Sequence, residues 1–140
     1  MYTLAEIIEK LSFSMQQHEA EVTAQSEFGA LTLIQIHYLD AVRHLETPSL
    51  SELAEYFSVT KPTATVAIER LESLGFVKKI PSLVDRRIIN IHLTESGKRI
   101  SDLHDEIHQG YARHFEETLS RQELKTLIGM LNKVVKHIGM

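Results

Sequence analysis

Apolar positions along this chain change period twice, and the changes divide it into helices, a hairpin and helices again. Leu4, Ile7, Ile8, Leu11 and Met15 follow the i, i+3, i+4, i+7 spacing of a helix with one buried stripe, and Val22 extends it. The pattern fades across 24–30, where Ser26 and Gly29 predict a connection. Thr32 and Gln35 then have the spacing of a capping box, in which two residues reciprocally satisfy free backbone N–H groups. The helix it opens runs through Leu39, Val42 and Leu45 to a stop at Pro48. Ser49 and Glu52 form a second box, opening a short helix with Leu53, Ala54 and Phe57 inward. Ser58-Val59-Thr60 predicts a turn. Thr60 is the expected N-cap of the next helix, and Pro62 falls in its first turn, where a missing N–H costs little. Ala64, Ala67, Ile68, Leu71 and Leu74 form that helix's inward stripe, and Gly75 fits its C′ position.

From Phe76 the period falls to two. Residues 76–80 are rich in β-formers, 81–86 predict a loop, and Ile89, Ile91 and Leu93 alternate with Asn90 and His92 as in a half-buried strand. Thr94 caps a long helix with the stripe Ile100, Leu103, Ile107, Tyr111 and Phe115. Ser120 and Glu123 make a third capping box. The last helix carries Leu124, Leu127, Ile128, Leu131, Val134, Val135 and Ile138, more apolar surface than one terminal helix buries alone. The pattern therefore predicts a mainly α chain of six helices with a small β-hairpin: a winged helix-turn-helix. We expect one domain over 1–140, with a winged DNA-binding lobe over 32–94 and association helices over 3–25 and 95–138.

Composition sharpens this reading. The 140 residues suffice for one domain with a real core, and 43% apolar content with three prolines and six glycines fits an ordered helical globule. No apolar run is long enough for a membrane span, and the acidic residues near the start predict no signal peptide. Cysteine is absent, which excludes disulfides and cysteine nucleophiles and is compatible with a cytoplasmic protein. Catalytic constellations are missing too: HDEIH at 104–108 lacks the glutamate of the zinc-protease pattern, and there is no glycine-rich phosphate loop. No enzyme is expected.

The net charge of −4 looks wrong for a nucleic-acid binder, but its distribution does not. Residues 61–99 hold eight Lys and Arg against four Asp and Glu, so this segment is +4 and the remainder −8; the remote alternative, a winged-helix protein-interaction module without DNA binding, would not need this clustered charge. In a helix-turn-helix the second helix presents its outer face to the major groove. Here that gives Thr60, Lys61, Pro62 and Thr63 at its N-terminal end and Thr65, Val66 and Arg70 on the outer face as the candidate contacts, with Glu69 either accepting from a cytosine amino group or simply solvated. Thr65 and Val66 suit thymine methyl groups; Arg70 suits guanine or phosphate. In the hairpin, Arg86 is the candidate for the minor groove, Arg87 for Asp85 or a phosphate, and Lys78 and Lys79 for phosphates. Because the helix face is poor in long polar side chains, DNA shape and the hairpin arginine are expected to carry much of the specificity.

Asp85-Arg86-Arg87, followed by Leu93-Thr94 and Gly97, resembles the wing signature Asp-x-Arg-x5-Leu-Thr-x-x-Gly of the MarR family of transcription regulators. Leu53-Ala54, Leu71 and Leu74-Gly75 also fall where that family has them, and the likeness covers essentially the whole chain. It implies an intertwined, triangular homodimer in which two winged motifs meet a pseudo-palindromic operator, usually as a repressor released by an effector.

Eight histidines remain to be explained. His104 and His108 stand i, i+4 on one helix, a spacing that suits zinc. Together with His37, His18 and Glu19 they resemble ligand positions of the family's zinc-uptake repressors. Those repressors also use a cysteine, absent here, and an acidic residue where this chain has Ile36. The family's repressors of fatty-acid synthesis look similar at His37, His104 and His108 and answer instead to an acylated carrier protein. Zinc, an acylated carrier protein, another small apolar or aromatic effector, and a purely structural histidine cluster all stay open, and no cofactor is required.

Overall fold

The computed structural model describes residues 1–25 and 31–139. Its elements are α1 (Leu4–Gln25), α2 (Leu33–His44), α3 (Leu50–Tyr56), α4 (Lys61–Ser73), β1 (Val77–Pro81), β2 (Ile89–Leu93), α5 (Glu95–Thr118) and α6 (Arg121–His137). The expected connection at 26–30 lies outside the described residues. The chain divides into two compact units, Met1–Asp105 and Glu106–Met140.

The caps read from the sequence set the helix starts. Thr32, Ser49 and Ser120 each accept from the backbone N–H three residues on, and Gln35, Glu52 and Glu123 return the bond, completing three capping boxes. Those bonds hold the Glu52 and Glu123 carboxyls below the usual carboxylate range. Thr60 caps α4 alone, accepting from the Thr63 N–H at 3.3 Å. Between α3 and α4 the chain turns on Ser58, at φ 52°, while the Val59 N–H returns to the Ala54 carbonyl at 2.9 Å.

In the first unit, Leu39, Leu53, Ala64, Ile68, Leu71 and Ile91 are fully buried in one core that joins α2, α3, α4 and the hairpin. Phe57 closes its edge by stacking on Tyr38, with ring centroids 4.2 Å apart. The two strands are antiparallel, with Val77 opposite Leu93 and Lys79 opposite Ile91. Phe76 lies outside the strand and Pro81 inside it, one residue later than the composition suggests. β2 is tied back to the connection between α2 and α3: the Ile91 N–H reaches the Pro48 carbonyl at 2.8 Å and the Asn90 amide reaches that of Thr47 at 2.8 Å. This anchoring fixes the wing's direction relative to α4.

Gly97 explains itself by close approach. A Cβ at that position would lie 2.1 Å from the Phe76 carbonyl oxygen. That same oxygen accepts the Thr94 N–H, while the Thr94 hydroxyl donates to the Gly75 carbonyl at 2.6 Å and accepts the Gly97 N–H at 3.2 Å. Leu93, Thr94 and Gly97 thus form the joint at which the wing returns into α5.

One expectation is corrected. The stripe Leu4, Ile7, Ile8 and Leu11 does not become buried in the single chain; all four residues are exposed, and Met15 and Val22 are half-covered. In the second unit, Ile128, Met130, Leu131, Val134 and Val135 are likewise 43–55% exposed. Helical periodicity identifies a face with something to bury, but not whether its own chain supplies the cover. No described helix is long and apolar enough to cross a membrane.

Candidate nucleic-acid interface

The α4 face turned away from the core carries Lys61, Pro62, Thr63, Val66 and Arg70, all exposed, with Thr65 half-buried. The Thr65 hydroxyl donates to the Lys61 carbonyl at 2.8 Å, so the outward part of Thr65 is its methyl group. Thr60 and Thr63 share a hydroxyl contact of 2.9 Å at the helix start. Val66 is 67% exposed. The face is therefore methyl-rich, with one cation at its start and another, Arg70, two turns on.

Glu69 and Lys79 behave differently from the sequence reading. The Lys79 ammonium on β1 stands 3.7 Å from Glu69 and 3.3 Å from Glu72, both on α4. Lys79 is not directed at phosphate, nor is Glu69 an isolated acceptor. Instead the lysine neutralises two carboxylates that would repel a phosphate backbone, and it braces the wing against the helix. The signal was in the sequence only as charge complementarity between two elements whose relative placement it does not give.

At the wing tip, the Asp85 carboxylate accepts the Arg87 backbone N–H at 3.0 Å. Asp85 shapes the turn through the backbone, and both guanidinium groups project from it. Among the described residues, Lys61, Arg70, Lys78, Arg86 and Arg87 make no ion pair. Five cations spread over the α4 face and the wing are thus available to a polyanion.

A second cluster lies among α1, α2 and the start of α5. His104 is 5% exposed and sits between two carboxylates: its Nδ1 pairs with Asp40 and its Nε2 with Glu19. The hydrogen bond to Asp40 raises the His104 pKa above the ordinary 6.5; burial opposes the rise, and the charge of Asp40, then the bond and charge of Glu19, add to it. With a carboxylate on each nitrogen, the doubly protonated ring is the favoured form. Ser101 donates to the other Asp40 oxygen at 2.8 Å, and Arg43 pairs with Asp102 at 2.9 Å, so α2 and α5 are joined by a continuous polar seam. Glu19, His37 and His104 could each present a ligand atom within 4.8 Å of the others. His108 belongs to the second unit, and His18 is half-buried on α1. Asp40 was missed from the sequence, although it stands three residues after His37 on the same helix.

The sign of the pH effect follows. The folded state binds the His104 proton more tightly than the unfolded chain, so the stabilisation is complete below about pH 6.5 and is lost as pH rises through the raised folded value. In thermal melts, the advantage of the native chain over a His104→Gln variant is expected to be largest near pH 6 and to shrink toward pH 9. An advantage that grows with pH would show that the histidine is neutral in the fold.

A helix-turn-helix with a basic two-stranded wing defines a DNA-binding lobe. Residues 31–89 match the sequence model of the MarR family. Over 117 residues the chain is 33% identical to the HTH-type transcriptional regulator YybA of Bacillus subtilis, a match covering 80% of this chain and 76% of that protein. It is 30% identical over 90 residues to the HTH-type transcriptional regulator PecS of Dickeya dadantii, covering 64% of this chain and about half, 54%, of PecS. The crystal structure of Streptococcus pneumoniae FabT in complex with DNA superposes with a TM-score of 0.86 at 21% identity, covering 96% of this chain and 94% of that one. The reduced form of MarR from E. coli superposes with a TM-score of 0.70 at 24% identity, covering 96% and 98%. At these identities the two structures establish the fold. The chain belongs to the MarR family: it is a DNA-binding transcriptional regulator and not an enzyme.

Proposed function

We propose that the protein is a cytoplasmic homodimer that represses transcription by placing two winged motifs on the half-sites of a pseudo-palindromic operator. The observation that carries this is the pairing of one unpartnered basic surface, on α4 and the wing, with apolar stripes on α1 and α6 that the single chain leaves exposed. DNA in complex with FabT and with a MepR mutant of S. aureus supports duplex DNA as the partner. Thr60, Lys61, Pro62, Thr63, Thr65, Val66 and Arg70 are the major-groove set; Lys78, Arg86 and Arg87 serve the wing. Enrichment of duplexes from a random pool by the native protein, followed by binding titrations, decides the matter: recovery of an inverted repeat is expected, and no enrichment would end the reading. On the recovered duplex, Arg86→Ala is expected to lower affinity about tenfold and the salt slope by about one if the guanidinium meets a phosphate. An unchanged slope and affinity would remove Arg86 from the interface.

An effector acts, in this reading, by changing the spacing of the two recognition helices, so that both half-sites can no longer be engaged together. Two features favour a site on α1 and α2. An open cavity of about 260 Å³ is lined by Glu19, Ala20, Thr23, Leu31, Leu33 and Ile36, which suits a small apolar or aromatic molecule or the acyl chain of a carrier protein. Beside it, Glu19, His37 and His104 have the chemistry of zinc ligands, with His108 in the family's pattern. Zinc would have to displace the His104 proton, so its uptake would strengthen with rising pH. Elemental analysis and DNA titration with zinc, and then with free and acylated carrier protein, separate the three. Zinc content that is unaffected by His104→Gln would exclude this cluster as the metal site.

A further inference from the structure

Between its strands the wing holds an apolar surface that neither its core nor its charges require. Leu83 is 102% exposed and Val84 98%, at the apex, with Ile80, Ile88 and Ile89 at 37–45% around them. Single exposed apolar residues are ordinary, but five within ten positions form a patch. The turn that displays them is built in detail. The Ser82 hydroxyl accepts the Val84 and Asp85 N–H groups at 3.2 and 3.4 Å, the Ile88 carbonyl accepts that of Ser82 at 2.8 Å, and Asp85 accepts that of Arg87. These bonds hold the turn's shape, and Leu83 and Val84 are left fully exposed on it among the described residues.

The occupant can be argued from what adjoins the patch. Arg86 and Arg87 follow directly, and Lys78 stands on β1; none makes an ion pair among the described residues. A second copy's wing would bring the same cations and be repelled, whereas a polyanion is attracted. The minor groove combines the needed chemistries, with phosphates at its rims and apolar deoxyribose on its walls. Architectural proteins use the same combination, laying Leu, Ile or Phe between base steps and flanking them with cations.

We propose that Leu83 and Val84 form an apolar wedge that the wing sets into the minor groove, where they pack on deoxyribose and loosen the stacking of a flexible base step beneath them. The wing then selects sequence by how readily that step deforms, at a position where no base edge is read. This rests on the reading that the wing meets duplex DNA, and it adds to the arginine contact a term independent of charge.

The experiment uses the full chain and a 40-base-pair duplex recovered by the native protein from a random pool, unlabelled or with 2-aminopurine placed at successive steps on each side of the centre. The paired substitution Leu83→Ser, Val84→Ser touches no packed atom, so its melting curve should match the native one. It is expected to weaken binding about tenfold. Its salt slope should stay unchanged, unlike that of Arg86→Ala. Native protein should brighten 2-aminopurine at one step per half-site, and the paired variant should not. Affinity within twofold of native, or no step that brightens, would overturn the wedge while leaving DNA binding intact. If the native protein enriches no duplex, the wedge falls together with the DNA reading. A variant that instead dissociates into smaller species in solution would assign the patch to a protein contact and overturn it too.

Discussion

Leu131→Asp combined with Val135→Asp is expected to turn the protein into a monomer at micromolar concentration and to cut its affinity for a two-half-site duplex by about a hundredfold or more. The two residues stand one turn apart on α6 and are 49% and 43% exposed in the single chain, next to Val134 and Ile128. A stripe this apolar is stable in water only when something covers it. The exposed face of α1 poses the same demand, so an apolar face on each of two helices is left uncovered among the described residues. The loss in DNA affinity would come without any change at the α4 surface, because joining two winged motifs makes the second half-site an intramolecular partner. Affinity for a single half-site should therefore be nearly unaltered. Sedimentation and binding titrations on one-site and two-site duplexes read the two effects separately. A variant that remains dimeric would place the dimer contact elsewhere.

Gly97→Ala is expected to have the largest effect on stability among alanine substitutions at the described glycines 75, 97, 129 and 139. The new Cβ would fall 2.1 Å from the Phe76 carbonyl oxygen and 3.1 Å from its carbon, with Leu93 Cδ2 at 3.3 Å. The first two obstacles are backbone and cannot rotate aside. Relief requires parting the segment before β1 from the first turn of α5, which breaks the Thr94 bonds to Gly75 and Phe76. A cost of about 3 kcal/mol and a Tm lowered by roughly 10 °C follow. Gly75 is a contrast. Its φ of +82° favours glycine, yet an added Cβ there meets nothing within 4 Å. Gly75→Ala should therefore cost about 1 kcal/mol. Thermal melts that rank the two equally would mean that the joint between wing and α5 yields more easily than its geometry implies.

The fold was legible because its signals are local. Three capping boxes, Thr60 and the glycine at 75 each fix an element end where the sequence puts it, and the change of period at Phe76 places the strand to within one residue. The wing signature also conveys a joint: Gly97 is a glycine because of a carbonyl 21 residues earlier. What stayed hidden depends on distance across the fold. Lys79 looks like any basic strand residue until α4 brings Glu69 and Glu72 beside it. Asp40 is an ordinary helical aspartate until α5 sets His104 against it, and only then does the histidine gain the carboxylate that raises its pKa. The exposed stripe on α1 is the reverse case, since periodicity announced a buried face that one chain cannot bury.

The claim that two copies act together on duplex DNA is most directly tested by the mass of the complex in sedimentation equilibrium, using a duplex recovered from a random pool by the native protein. Two protomers per duplex are expected, bound in one step, and scrambling either half-site is expected to leave two protomers per duplex but to weaken binding sharply, because the dimer then holds on by one winged motif. A single protomer bound with equal strength to the intact and the scrambled duplex would contradict it.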